Sequence, residues 1–106
     1  MNKAIQIITT VSSNEDASKL ASILIDKKVA ACVQIDGPIT SIYRWQNNIE
    51  NTQEWRLTIK SLATLFNDIE RLILENHPYD TPEIIASEIS QINDKFLEWI
   101  RSETTS

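Results

Sequence analysis

The stretch VAACVQIDGPITSIYRWQNNIENTQEWRLTIK, from Val29 to Lys60, decides the fold. Its first half, Val29 to Trp45, is β-like, with a break at Asp36-Gly37-Pro38. Gln46-Asn47-Asn48 is a turn signal, because asparagine tolerates left-handed backbone better than most residues. From Ile49 to Ile59 the chain returns as a second strand. There Trp55, Leu57 and Ile59 alternate with Glu54, Arg56 and Thr58, the period of a half-buried strand. A long β-hairpin is therefore predicted at the centre of the chain.

Working outward, Ala4 to Val11 reads as a strand, with Ile5, Ile7 and Thr9 on one face and Ile8 on the other. Ser12 and Ser13 then offer N-caps to a helix whose first turn holds Glu15 and Asp16, where the dipole favours acids. Ala17, Leu20, Ala21, Leu24 and Ile25 form its apolar stripe, and it ends near Asp26-Lys27-Lys28. After the hairpin, Leu62, Leu65, Phe66, Ile69, Leu72 and Ile73 mark a second helix, which stops before His77-Pro78. Glu83 to Ser90 reads as a short strand, and Asn93 to about Arg101 as a last helix with Phe96, Leu97 and Ile100 inward. The tail from Ser102 is expected to fray. The order β-α-β-β-α-β plus a terminal helix predicts an α+β fold, a ferredoxin-like βαββαβ sandwich with two helices on one face of a four-stranded antiparallel sheet. No repeat or linker divides residues 1–106, so one domain is expected.

The hairpin also bears on assembly. Strand residues from about 30 to 45 extend roughly 50 Å at about 3.3 Å each. A domain of this length has a radius of gyration near ~13 Å, a diameter of roughly 35 Å. The hairpin should overrun its own domain, carrying Ile42, Tyr43, Trp45 and Ile49 at the tip. Such a patch is costly to leave in water, so pairing with another subunit is expected.

Composition excludes several function classes. Ten basic residues against fifteen acidic give a formal charge of −5, and no basic run or stripe suits nucleic acid or an anionic membrane. No apolar run approaches the roughly 20 residues that span a bilayer, and the N-terminus lacks a signal-peptide pattern. Cys32 is the only cysteine, which rules out an internal disulfide and a Cys-rich zinc site and points to a reducing cytoplasm. Gly37 is the only glycine, so dinucleotide fingerprints and P-loops are excluded. No catalytic signature of the Ser/His/Asp or HExxH kind is present, and no enzymatic activity is expected.

The chemistry-bearing candidates gather in His77-Pro78-Tyr79-Asp80-Thr81-Pro82-Glu83, which holds the only histidine and two of the three prolines. The prolines make it a stiff, extended joint. His77 and Glu83 offer an imidazole nitrogen and a carboxylate to a divalent metal, a mixture suited to copper or zinc. The plainer role for His77 is to cap the second helix with its ring. Tyr43, Trp45 and Tyr79 are candidates for an aromatic ligand pocket, or for packing anchors at a subunit boundary. Lys60 is a candidate receiver of a small anion, or a partner for Glu54 or Glu83. Cys32 suits soft copper, but inside an apolar strand it reads as a small core hydrophobe.

Tyr43-Arg44-Trp45 with Ile49, Glu54 with Ile59-Lys60, and His77-Pro78-Tyr79 with Pro82-Glu83-Ile84 resemble the motifs of the CutA family of divalent-cation tolerance proteins. Ala30-Ala31-Cys32 and Trp99 fit the same pattern, and the resemblance runs from Ile5 to Ile100. It implies a homotrimer intertwined through the long hairpin, no established enzymatic activity, and participation in the response to metal ions, with copper as the divalent metal bound weakly. The family's proposed metal set is a cysteine at the end of the first strand, a histidine before the His-Pro pair, and the motif glutamate. Those positions here are Thr9, Asn76 and Glu83, with His77 next door. The hairpin turn usually carries a glycine where this chain has Asn47. Fold similarity between the family and PII signalling proteins supplies the alternative, a small-ligand sensing module with an intersubunit pocket around Tyr43, Lys60, Tyr79 and Glu83. Acylphosphatases share the fold, but their phosphate loop needs an arginine that residues 9–14 lack.

Overall fold

Trp45 pairs with Asn48 across a two-residue loop in which Gln46 and Asn47 take left-handed backbone, with φ of 49° and 68°. Asn47 thus does the work of the expected glycine, and the loop twists in the sense that the flanking strands require. This turn joins the two longest strands of the computed structural model, which describes residues 3–104. In chain order the elements are β1 (Ala4–Val11), α1 (Asn14–Asp26), β2 (Cys32–Trp45), β3 (Asn48–Leu62), a 3-10 turn (Ala63–Leu65), α2 (Phe66–Asn76), β4 (Ile85–Glu88) and α3 (Asp94–Glu103). The strands form one antiparallel sheet in the order β2-β3-β1-β4.

Strand alternation divides the sheet into two faces. Ile5, Ile7, Thr9 and Val11 of β1 and Leu57, Ile59 and Ser61 of β3 are buried. They share a core with Ala17, Leu20 and Leu24 of α1 and Ile69, Leu72 and Ile73 of α2. By register, the opposite face carries Gln6, Ile8 and Thr10 beside Glu54, Arg56, Thr58 and Lys60, with Cys32, Gln34 and Asp36 outside them. Arg56 and Asp36 pair there at 2.8 Å. Cys32 is only half-buried on this polar face, beside Lys60 in the register, so it is not the core hydrophobe expected from the sequence.

Helix α1 begins as the sequence predicts: the Ser13 hydroxyl accepts from the Asp16 N–H at 3.0 Å. It ends at Asp26 with Lys27 as its cap, and Lys28 leaves with φ 61°. Four expectations are corrected in detail. The break at Asp36-Gly37-Pro38 is a bulge within a continuous β2, because β3 keeps pairing on both sides of it. Leu62 closes β3 and does not belong to the second helix. The last strand is confined to Ile85–Glu88. Ser102 and Glu103 remain helical, with the hydroxyls of Ser102 and Thr104 donating to the carbonyls of Trp99 and Ile100. The rest of the expected tail, residues 105–106, lies outside the described residues.

Strand β1 pairs with β3 only from Trp55 to Leu62. Toward the turn, β3 has β2 alone as a neighbour, so residues 39–54 form a two-stranded ribbon beyond the sheet. The molecule measures 45 × 26 × 21 Å, elongated as the hairpin length requires.

Candidate functional site

At the end of α2 the His77 N–H donates to the Ile73 carbonyl at 2.8 Å, and the backbone then turns extended. The imidazole does not cap its own helix, as the sequence reading proposed; Asn76 does, donating its side-chain N–H to the Leu72 carbonyl at 2.8 Å. His77 instead reaches across to β1. Its Nε2 lies 2.8 Å from the Thr10 carbonyl oxygen, and its Nδ1 accepts the Tyr79 N–H at 3.1 Å. A carbonyl demands a donor and an N–H demands an acceptor, so these two partners assign the neutral Nε2–H tautomer. Burial agrees, since it holds the His77 pKa below its ordinary value of 6.5 against the opposing pull of the Thr10 carbonyl, Glu54 and Asp16.

Tyr79 continues the chain of contacts. Its ring packs on His77 with centroids 4.7 Å apart, and its hydroxyl donates to Glu54 Oε2 at 2.7 Å. Glu54 is only 7% exposed, although its alternation with Trp55 suggests a solvated strand face. Burial is the first cause that raises the Tyr79 pKa; the Glu54 hydrogen bond and charge add to it, while the Ser12 hydroxyl opposes. The phenol is therefore a permanent donor. Tyr43 lies close enough to Tyr79 to add to the same shift, and its hydroxyl accepts from the Thr52 hydroxyl at 3.4 Å. Thr10, His77, Tyr79 and Glu54 thus form one hydrogen-bonded polar corner where the ribbon leaves the sheet, with Tyr43 and its partner Thr52 beside it.

The remaining candidates are dispersed. Trp45 is exposed two residues beyond Tyr43, at the ribbon tip. Glu83 is exposed in the segment before β4. Lys60 donates to Gln34 Oε1 at 2.8 Å, and pairs with neither Glu54 nor Glu83. It sits six residues along β3 from Glu54, roughly 20 Å at about 3.3 Å per residue. Tyr43, Lys60, Tyr79 and Glu83 therefore do not line one pocket within a single chain. Nor do His77 and Glu83 make a metal site within it. The Nδ1 lone pair already receives the Tyr79 N–H, Nε2 carries the proton, and no group of three or more His, Cys, Asp or Glu is placed to hold an ion among the described residues. Thr9, at the position of the family's metal cysteine, is fully buried in the core with its hydroxyl unpartnered.

Sequence reasoning saw Glu54 as a partner for Lys60 and as part of a family motif, gave it no link to Tyr79, and did not single out Thr10. The one available signal was a glutamate directly beside Trp55 on a strand that packs on the core.

A family model described as the CutA1 divalent ion tolerance protein matches residues 5–103. The divalent-cation tolerance protein CutA of Thermus thermophilus is 38% identical, over 92% of this chain and 95% of that protein. The chloroplastic CutA protein of Arabidopsis thaliana is 37% identical over 95% of this chain, which spans 56% of the plant protein. Among solved structures, CutA1 from Oryza sativa superposes with a TM-score of 0.96 at 36% identity, covering 98% of this chain and 95% of the other. CutA1 from Ehrlichia chaffeensis gives 0.94 at 35% identity, covering 100% and 99%.

Proposed function

We propose, because this chain belongs to the CutA1 divalent ion tolerance family, that it acts in the cytoplasmic response to divalent metal ions as a homotrimer of ferredoxin-like subunits, each a single domain. The strand order β2-β3-β1-β4 with both helices on one face supports the ferredoxin-like reading. The observation that carries the assembly is the ribbon tip. Ile42 and Ile49, 68% and 70% exposed, point to one face, while Tyr43 and Trp45 point to the other. A ribbon with apolar side chains on both faces is satisfied only when it is clasped from two sides, which a neighbouring subunit can do and its own domain cannot. Sedimentation or light scattering tests this: the expected mass is three times the chain's 12.1 kDa, and the double substitution Ile42→Asp with Ile49→Asp should release monomers. A wild-type chain that stays monomeric at micromolar concentration overturns it.

The corner supports weak copper contact at most. A metal can take His77 only after Nδ1 releases the Tyr79 N–H, and Glu83 would need donors from another subunit. We read the part played by this protein in metal tolerance as one of assembly rather than storage. Calorimetric titration with copper should give a weak isotherm, reduced in Glu83→Ala. A tight, stoichiometric site would refute this reading.

A further inference from the structure

At the far end of the sheet from the polar corner, the segment after β4 passes over the face that carries Gln6 and Lys60. Between them lies a groove of about 500 Å³, within the roughly 300–1,000 Å³ typical of small-molecule sites. Gln6, Lys60, Glu88, Ile92, Asn93 and Phe96 are among the residues that line it. Phe96 is held in place by stacking on Trp99, with centroids 5.5 Å apart.

Charge in this groove is unbalanced. Glu88 is the only acid lining it, and it pairs with Lys3 at 3.5 Å. Lys60 donates to the neutral Gln34 amide, and no carboxylate pairs with it among the described residues. An ammonium has three donors, so two remain for a ligand. Asn93, the residue before α3, adds a side-chain amide whose N–H groups can donate. One ammonium with amide donors suits a monoanion; a phosphate dianion would favour an arginine fork, which the groove lacks.

We propose that this groove binds a small organic carboxylate, with Lys60 opposite the carboxylate and Phe96 and Ile92 against its apolar body. All of its walls come from one chain, so the proposal does not rest on the trimer or on metal binding.

The test is a titration of the full-length protein, in whatever oligomeric state it adopts, with benzoate, benzamide and inorganic phosphate, followed by amide chemical shifts. Benzoate should give saturable shifts at residues 89–93. Neutral benzamide should bind at least about tenfold more weakly, the loss of one charge-assisted hydrogen bond. Phosphate should also bind more weakly than benzoate, because it gains nothing from Phe96. Lys60→Gln should abolish the preference for benzoate over benzamide, while Lys27→Gln on the helical surface leaves it intact. Equal binding of benzoate and benzamide, phosphate binding as tight as benzoate, shifts centred elsewhere, or no saturable response would each overturn the proposal. The wild-type comparison of benzoate with benzamide remains decisive if Lys60→Gln fails to fold.

Discussion

Replacing Tyr79 with phenylalanine removes one oxygen and leaves the ring, so packing on His77 at 4.7 Å survives and no cavity opens. What is lost is the 2.7 Å hydrogen bond to Glu54 Oε2. Glu54 is 7% exposed, so water does not readily replace the phenol, and the carboxyl is left short of a partner. A hydrogen bond to a charged group contributes about 1.5–3 kcal/mol. For a domain near 100 residues each 1 kcal/mol corresponds to about 4–8 °C, so Tyr79→Phe should lower the melting temperature by roughly 6–24 °C. Urea unfolding at one fixed protein concentration, with Glu54→Met and the double variant, completes a cycle. Each single substitution strands a polar partner, whereas the double replaces both with apolar groups, so the double should be less destabilised than the sum of the singles. A loss below about 0.5 kcal/mol for Tyr79→Phe, or strict additivity, would refute the claim that the corner is held by this bond.

Thr9→Val should stabilise the protein by about 1–3 kcal/mol, because Thr9 is fully buried with an unpartnered hydroxyl and valine has nearly the same shape; a melting temperature that falls would show that a hidden partner exists. Gly37→Ala should destabilise, since the new Cβ would sit 2.5 Å from Trp55 Cδ1. A cost of roughly 1–3 kcal/mol is expected, together with a changed tryptophan emission; an unaltered spectrum and stability would contradict it. The His77 pKa is depressed by burial, so the unfolded chain binds the extra proton first. That contribution is fully present above pH 6.5 and is lost as the pH falls through the lower folded-state value. Stability should therefore decline on acidification below pH 6.5 with a slope that His77→Gln reduces; an unchanged slope would exclude His77 as its origin.

Local chemistry made the elements legible. Period-two alternation named β1 and β3, the Ser13 cap placed α1, and asparagine tolerance of left-handed backbone located the turn at Gln46-Asn47. These signals act over a few residues, which is why reading along the chain recovers them. Element ends were less legible, because Leu62 satisfies a strand and a helical stripe equally well and only pairing with Ala4 decides between them.

By itself, then, the sequence determined the strand and helix order, the long hairpin with its apolar tip, and the His77-to-Glu83 joint as the place where scarce residues collect. Only the tertiary structure decided what that joint does. The imidazole meets a carbonyl 67 residues away, and Tyr79 meets a glutamate 25 residues away. Alternation assigns a residue to a face, but the register of β1 on β3 and the path of the chain after α2 choose its partner. The same register carries Lys60 to the opposite end of the sheet, away from the aromatic residues it was grouped with, and into a groove where its charge is unanswered. Partner choice is a long-range property, set by packing whose energy no local spacing encodes.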